Sequence, residues 1–339
     1  MIRRFPCYYK KTQVELRELF ATSVFIFDTN VLLDIYRLDP EYSAKVISLI
    51  EHYKERIKIP YHVAEEYHEN LIETLVGHQD KLRKAKSLLE FERFKQVVID
   101  HLKDYLPIKT INDFTSKLKS QLNRFNKELT KQEMFLSDEL KNCSTQRRLS
   151  DLLSDLILDK LPQEKITEIE NEGAIRYDKK IPPGYRDDDK SSNKYGDLII
   201  RHEILKYAHE NDVSIIFISR DLKEDWYDKK YGKVQGPRIE LLKEYNTVAP
   251  NRFFHIYTME NFLEFANQAM EHEKLFSEEE MESMKEMLYI TEVNESYKVE
   301  VNDDDKISTK LKSTLPSRIY KQIPKEGIVY KNKCHTKNS

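Results

Sequence analysis

Two short runs of uninterrupted apolar residues stand out from an otherwise polar chain: Val24-Phe25-Ile26-Phe27 and Ile215-Ile216-Phe217-Ile218. Without alternation, such runs predict strands buried on both faces, here over Thr22–Phe27 and Val213–Ser219. After the first, the pattern predicts a helix from about Val31 to Lys54 and a short strand Arg56–Ile59 stopped by Pro60. A helix carrying Val63, Glu66, Tyr67 and Asn70 comes next. A helix from about Lys194 to Glu210 leads into the second run. A helix near Arg238–Tyr245, a strand Phe253–Tyr257 and a helix starting near Thr258 complete the pattern. Strands alternating with helices predict an α/β fold with a central parallel sheet in three α/β/α layers.

Between these halves, over roughly residues 75–180, apolar positions recur at helical spacing. Leu118, Leu122, Phe125, Leu129 and Leu136 form one stripe; Leu149, Leu152, Leu153, Leu156 and Ile157 form another. This interval reads as a helical insertion whose stripes serve packing. The Pro/Gly/Asp-rich stretch Ile181–Asn193 is a loop that returns the chain to the sheet. Ser277 with Glu280 has the spacing of a capping box that starts a late helix. From Lys306 to the end, nine Lys/Arg stand against one Glu, which reads as a solvated basic tail able to hold phosphates. The expected organisation is a core of 1–74 and 181–275, an insertion of 75–180, and a helix plus flexible tail over 276–339.

Composition narrows the chemistry. No apolar run approaches the ~20 residues of a bilayer span, and Met1-Ile2-Arg3-Arg4 is not followed by the apolar segment of a secretory signal. The expected address is therefore the cytoplasm, with no membrane partner. Cys7, Cys143 and Cys334 are far apart and read as reduced thiols, not as a disulfide framework or a zinc site. The 56 basic and 59 acidic residues nearly cancel, so any nucleic-acid surface must be local. The seven glycines lack the spacing of a dinucleotide fingerprint or a phosphate loop.

Ligands of open α/β sheets bind at the carboxyl ends of the strands. Asp28 directly follows the first run, and Asp221 follows the second with only Ser219-Arg220 between. Asp197 lies in the first turns of the helix before that second strand, and Glu66 on the helix after Pro60. Four carboxylates converging on one sheet edge, without cysteine, suit a hard cation such as Mg²⁺ or Mn²⁺. Each taken singly also reads as a cap or a turn former.

The joint pattern resembles the four acidic motifs of PIN-domain nucleases. The segments that carry it are Phe27-Asp28-Thr29-Asn30-Val31-Leu32-Leu33, Val63-Ala64-Glu65-Glu66-Tyr67, Tyr195-Gly196-Asp197-Leu198-Ile199 and Ile218-Ser219-Arg220-Asp221. Further segments are similar to one bacterial PIN-like branch with a helical insertion: Pro60-Tyr61-His62-Val63 with Asn70, Ile181–Asp187, Asp221–Trp226 and Gly236–Leu241. The resemblance covers about residues 15–270. It implies a PIN-like α/β/α fold with a helical insertion, and a metal-dependent nuclease, most often acting on RNA. Asp28, Glu66, Asp197 and Asp221 become the metal-binding carboxylates, Asn30 the residue that steadies Asp28, and Asp225 a further ligand. Nucleic acid, RNA before DNA, is the implied partner; a homo-oligomer and defence or toxin partner proteins are left open.

Glu65 and Glu66 point about 100° apart on a helix, and Glu66 is chosen because Val63, Tyr67 and Asn70 share its face. Asp225 shares a helical face with Asp221 if a helix begins there. Arg186, Asp187, Lys223 and Arg238 are candidate substrate contacts, weighed against a polar loop and surface ion pairs. His62 and His68 show no zinc spacing and read as structural. Ser219 reads as a strand-end hydroxyl satisfying the backbone, and Trp226 as core packing before base stacking. Two other functions compete. A haloacid-dehalogenase-type phosphohydrolase would need a second aspartate where Asn30 stands. A catalytically silent nucleic-acid-binding or scaffold module would have no use for the acidic set.

Overall fold

In chain order the elements are α1 (Gln13–Thr22), β1 (Val24–Phe27), α2 (Thr29–Asp34), α3 (Pro40–His52), β2 (Ile57–Lys58) and α4 (Tyr61–Leu88). The middle of the chain holds α5 (Phe91–Leu102), α6 (Ile108–Asn142), α7 (Ser144–Leu153) and α8 (Gln163–Asp178). Then come α9 (Gly196–Asn211), β3 (Ile215–Ile218), β4 (Tyr227–Lys230), β5 (Lys233–Pro237), α10 (Ile239–Val248), β6 (Phe254–Tyr257), α11 (Met259–Ala269) and α12 (Glu278–Ser296). The computed structural model describes residues 1, 4–89, 91–220, 222–231, 233–270 and 273–296. Asp221 and the basic tail from Lys306 therefore lie outside the described residues, as does Cys334.

The two apolar runs pair in parallel at the centre of a four-stranded sheet of order β2-β1-β3-β6. Phe25, Ile26, Phe27, Ile215, Ile216 and Ile218 are fully buried, as strands covered by helices on both faces require. From β1 the chain steps outward to β2, and from β3 it steps the other way to β6. The order reverses between β1 and β3, and such a switch point opens a crevice at the carboxyl ends of the two strands.

Several boundaries differ from the sequence reading, each for a local reason. β1 begins at Val24 because Thr22 closes α1, its hydroxyl bonded to the Glu18 carbonyl. α1 itself starts at a capping box, with the Thr12 N–H donating to Glu15 Oε2 at 2.7 Å and the Glu15 N–H donating to Thr12 Oγ1 at 3.3 Å. The single helix expected over Val31–Lys54 is two. Pro40 has no N–H to continue a helix, and it starts α3 under an Asp39 cap. β2 is only two residues long, and Ile59 adds a lone parallel bridge to Ile157. The β4–β5 hairpin was not expected. The Ser277–Glu280 capping box is present, with bonds of 2.9 and 3.2 Å.

The boundary expected at residue 75 falls inside α4, which runs on from the sheet and packs along α6. α6 has 35 residues, about 50 Å of helix. Its apolar stripe is buried where it meets the core, at Leu136, and 53% exposed at Phe125.

Candidate active site

The carboxyl end of β1 delivers Asp28 to the N-terminus of α2, where the sequence changes from apolar strand to a cap. Asp28 Oδ1 accepts from the Thr29 N–H at 2.8 Å. Its Oδ2 accepts from Asn30 Nδ2 at 2.7 Å and from the Ser219 hydroxyl at 2.5 Å. Ser219, read from the sequence as a strand-end hydroxyl serving the backbone, here donates to the Asp28 carboxylate. Asn30 also accepts the Arg220 N–H at 2.9 Å, tying the end of β3 to the start of α2. Arg220 is held from below by the buried Asp34, 3.1 Å away, which also pairs with Arg37 at 2.8 Å.

Glu66 lies in the second turn of α4 and reaches the same edge. The Thr29 hydroxyl donates to Glu66 Oε2 at 2.5 Å, and Asn193 Nδ2 donates to Glu66 Oε1. His62, one turn earlier, donates from Nε2 to Asn193 Oδ1 at 2.9 Å. His62 is therefore part of the frame around Glu66, whereas His68 is exposed and bonds the Ala64 carbonyl of its own helix. Asn70, a turn beyond Glu66, is exposed.

Asn193 is packed against Gly196, the first residue of α9, and Asp197 follows in that helix's first turn. The positive end of the helix dipole favours a carboxylate there. Trp226 donates from Nε1 to Asp197 Oδ2 at 3.1 Å and packs its ring on Phe217, so it is a buried prop and not a stacking platform. Gly184, at φ +86°, faces Asp197; a Cβ there would lie 3.0 Å from that of Asp197. Thr29, Glu66 and Asn193 thus connect Asp28 to the α9 start by direct contacts.

Asp225 is fully buried, and residues 224–226 form a turn, so the condition for a shared helical face with Asp221 is not met around it. Its Oδ2 accepts from the N–H groups of Gly184 and Arg186, at 3.1 and 3.3 Å. In this structure it anchors the Ile181–Asn193 loop. Asp187 is buried between Lys190 and Lys223, 2.7 and 3.0 Å away. Burial alone would raise its carboxyl, but the two ammonium groups outweigh that and hold it below the usual carboxylate range. Burial, and then the charges of Asp197, Asp187 and Asp225, push the Tyr177 phenol up. These carboxylates share one electrostatic neighbourhood. The other candidate cations are paired too: Arg186 with Glu224 at 3.4 Å, and Arg238 with Glu240 through two nitrogens.

Sequence reasoning missed Glu203. It lies on α9, nearly fully buried, and its Oε2 accepts the His62 N–H at 3.2 Å. α4 begins after Pro60 with no local side-chain cap, so Glu203 caps it from a distant element. Burial pushes the Glu203 carboxyl up to about 7 from its ordinary 4.5. The folded chain therefore holds a proton that the unfolded chain has released between these values. Stability from that proton is full below pH 4.5 and is lost as pH rises through about 7. The stability of the wild type relative to Glu203→Gln is expected to fall by about 3 kcal/mol between pH 4 and pH 8. Denaturant unfolding of both proteins across that range checks this; parallel pH profiles would contradict it.

The donor set at this edge is carboxylate oxygen, flanked by amide and hydroxyl groups. That chemistry fits a hard divalent cation and not zinc. Among the described residues, no three His, Cys, Asp or Glu side chains are gathered closely enough to hold an ion, and Asp221 is not among them. A family model described as a PIN-like domain matches residues 24–241, more than half of the chain. No curated protein and no solved structure matches the chain.

Proposed function

The chain belongs to the PIN-like domain family, a nuclease-type superfamily, and from that premise we propose that it is a divalent-metal-dependent nuclease, hydrolysing phosphodiester bonds in RNA before DNA. The observation that carries the reading is the continuous set of contacts at the β1/β3 switch point. Asp28 and Glu66 are joined through Thr29, and Glu66 is joined through Asn193 to the helix start that bears Asp197. Asp28, Glu66 and Asp197 would hold Mg²⁺ or Mn²⁺, with Asp221 as a fourth carboxylate. The bound ion would supply an activated water and neutralise charge developing on the scissile phosphate.

The chain's own groups do the positioning. Asn30, Ser219 and the Thr29 N–H fix both oxygens of Asp28, so its orientation is set before anything binds. Thr29 and Asn193 do the same for Glu66, and Trp226 for Asp197. Asp225 acts through the loop it anchors, placing Gly184 against Asp197. The Ser219 hydroxyl donates to Asp28 and so helps orient it, and in this scheme the attacking group is the metal-activated water, with no side-chain nucleophile needed. In this reading the core of 1–74 and 181–275 carries the chemistry in the cytoplasm. The 75–180 insertion shapes the groove, and 276–339 adds a basic tail.

Incubating the full chain with mixed RNA and DNA substrates, with Mg²⁺, with Mn²⁺ and with chelator, tests the proposal. Cleavage that needs the divalent ion and prefers RNA is expected. Nucleic-acid binding without cleavage under any condition would favour the silent module instead.

A further inference from the structure

A cavity of about 490 Å³ opens at the amino end of β6, at the opposite edge of the sheet from Asp28. The N-terminal segment Pro6–Lys11, the β4–β5 hairpin, α10 and the stretch Arg252–His255 wall it. None of the carboxylates of the candidate active site lines it. Its volume is in the range of small-molecule sites.

Two features of its lining point to a ligand. Tyr8, Tyr9 and Phe253 gather three large rings in its lining, 55%, 46% and 44% exposed. Beside them stand Lys10 and Lys11, and among the described residues neither has a carboxylate within ion-pair distance. Lys10 Nζ donates to Gln235 Oε1 at 2.7 Å, and Lys11 Nζ lies 3.2 Å above the Phe253 ring. The other two cations of the wall are matched, Lys230 to Asp228 at 3.5 Å and Arg252 to Asp212 at 2.8 Å. Burial pulls the Lys11 ammonium down, with only the more distant charge of Glu15 opposing. An ammonium withdrawn from water without a counter-ion is stabilised by an arriving anion.

We propose that this cavity binds a nucleoside 5′-phosphate, its phosphate on Lys10 and Lys11 and its base against the Tyr8, Tyr9 and Phe253 rings. A ring platform beside unmatched cations is what a base carrying a phosphate requires, since stacking tolerates any base and the ammonium groups take the charge. The Gln235 amide and the Asp228 carboxylate on the hairpin supply acceptors for the ribose or the base edge. Binding there draws on none of the groups proposed for cleavage. The same chemistry is offered by a free mononucleotide and by the phosphorylated terminal nucleotide of a strand.

Calorimetric titration of the full chain, with chelator present, separates these sources. The probes are the four common ribonucleoside monophosphates, adenosine, inorganic phosphate, and 5′-phosphorylated and 5′-hydroxyl oligonucleotides of about eight nucleotides. Saturable binding of a phosphorylated probe is expected, weakened about tenfold or more when either base or phosphate is removed. A free-nucleotide site binds the monophosphate at least as well as the oligonucleotide; a strand-end site prefers the 5′-phosphorylated oligonucleotide. Replacing Lys10 and Lys11 together by Gln should weaken binding by about tenfold or more. Replacing both by Arg should preserve it, and Asp28→Asn should leave it unchanged. If the Gln pair fails to fold, Tyr9→Leu takes its place, with the same loss expected. No saturable binding of any phosphorylated probe overturns the proposal. So does binding that survives both the Gln pair and Tyr9→Leu, or that disappears in Asp28→Asn.

Discussion

Asp28→Asn is expected to lower divalent-dependent cleavage by about 10³-fold or more while leaving the metal-free chain within about 1 kcal/mol of the wild type. Asp28 is a helix cap as well as a proposed metal-binding carboxylate, so the two roles have to be separated by chemistry. Asparagine caps a helix as well as aspartate does, and its Oδ1 can keep the Thr29 N–H. Its Nδ2 would face Asn30 Nδ2, which cannot turn away cheaply because Asn30 Oδ1 holds Arg220. That donor-to-donor contact costs stability, and removing one charge from the acidic edge offsets it. Asp28→Ala loses the cap and removes the carboxylate acceptor that Asn30 and Ser219 share, and should melt earlier by about 1–2 kcal/mol. Melting in chelator, measured beside cleavage, reads both. If Asp28→Asn cleaves like the wild type, the assignment of Asp28 is wrong.

The second large effect concerns a residue that no motif pointed to. Asn193→Ala should reduce cleavage by about 10–100-fold, the usual cost of losing a group that orients a metal-binding side chain. It removes the amide that holds Glu66 and accepts from His62. Glu66 keeps its bond to Thr29, so the loss should lie mainly in apparent divalent affinity and be partly recovered at high metal. Rate measured against Mn²⁺ concentration distinguishes this. An unchanged metal dependence would make Asn193 a surface loop residue.

What was legible in the sequence follows from the range of the interactions involved. The central strands could be read because burial on both faces leaves an unbroken apolar run, and Asp28 because it directly follows one. α1 has a Thr12–Glu15 capping box, but only Leu19 and Phe20 of that helix are buried, so its apolar periodicity is too faint to signal it. The β4–β5 hairpin is built from Tyr227-Asp228-Lys229-Lys230, which has little apolar alternation to signal a strand. Its turn at Tyr231 adopts φ +53°, which that residue type does not advertise. The props of the candidate site are long-range. Thr29 and Glu66 are 37 positions apart, and Asn193 and Glu66 are 127 apart, separations at which spacing carries no information. The four-residue interval from Asp221 to Asp225 suits a helix but does not require one, and residues 224–226 form a turn. The chain there turns toward the Ile181–Asn193 loop, whose N–H groups offer a buried carboxylate the partners it requires.

Crystals of the full chain soaked in Mn²⁺, with anomalous diffraction recorded at the manganese edge, would show whether Asp28 and the carboxylates proposed beside it hold a divalent ion. A peak is expected against the Asp28 carboxylate, with Asp197 or Glu66 among its other neighbours, that vanishes in Asp28→Asn crystals. A wild-type crystal with no peak there, or with its manganese bound elsewhere, would contradict that assignment.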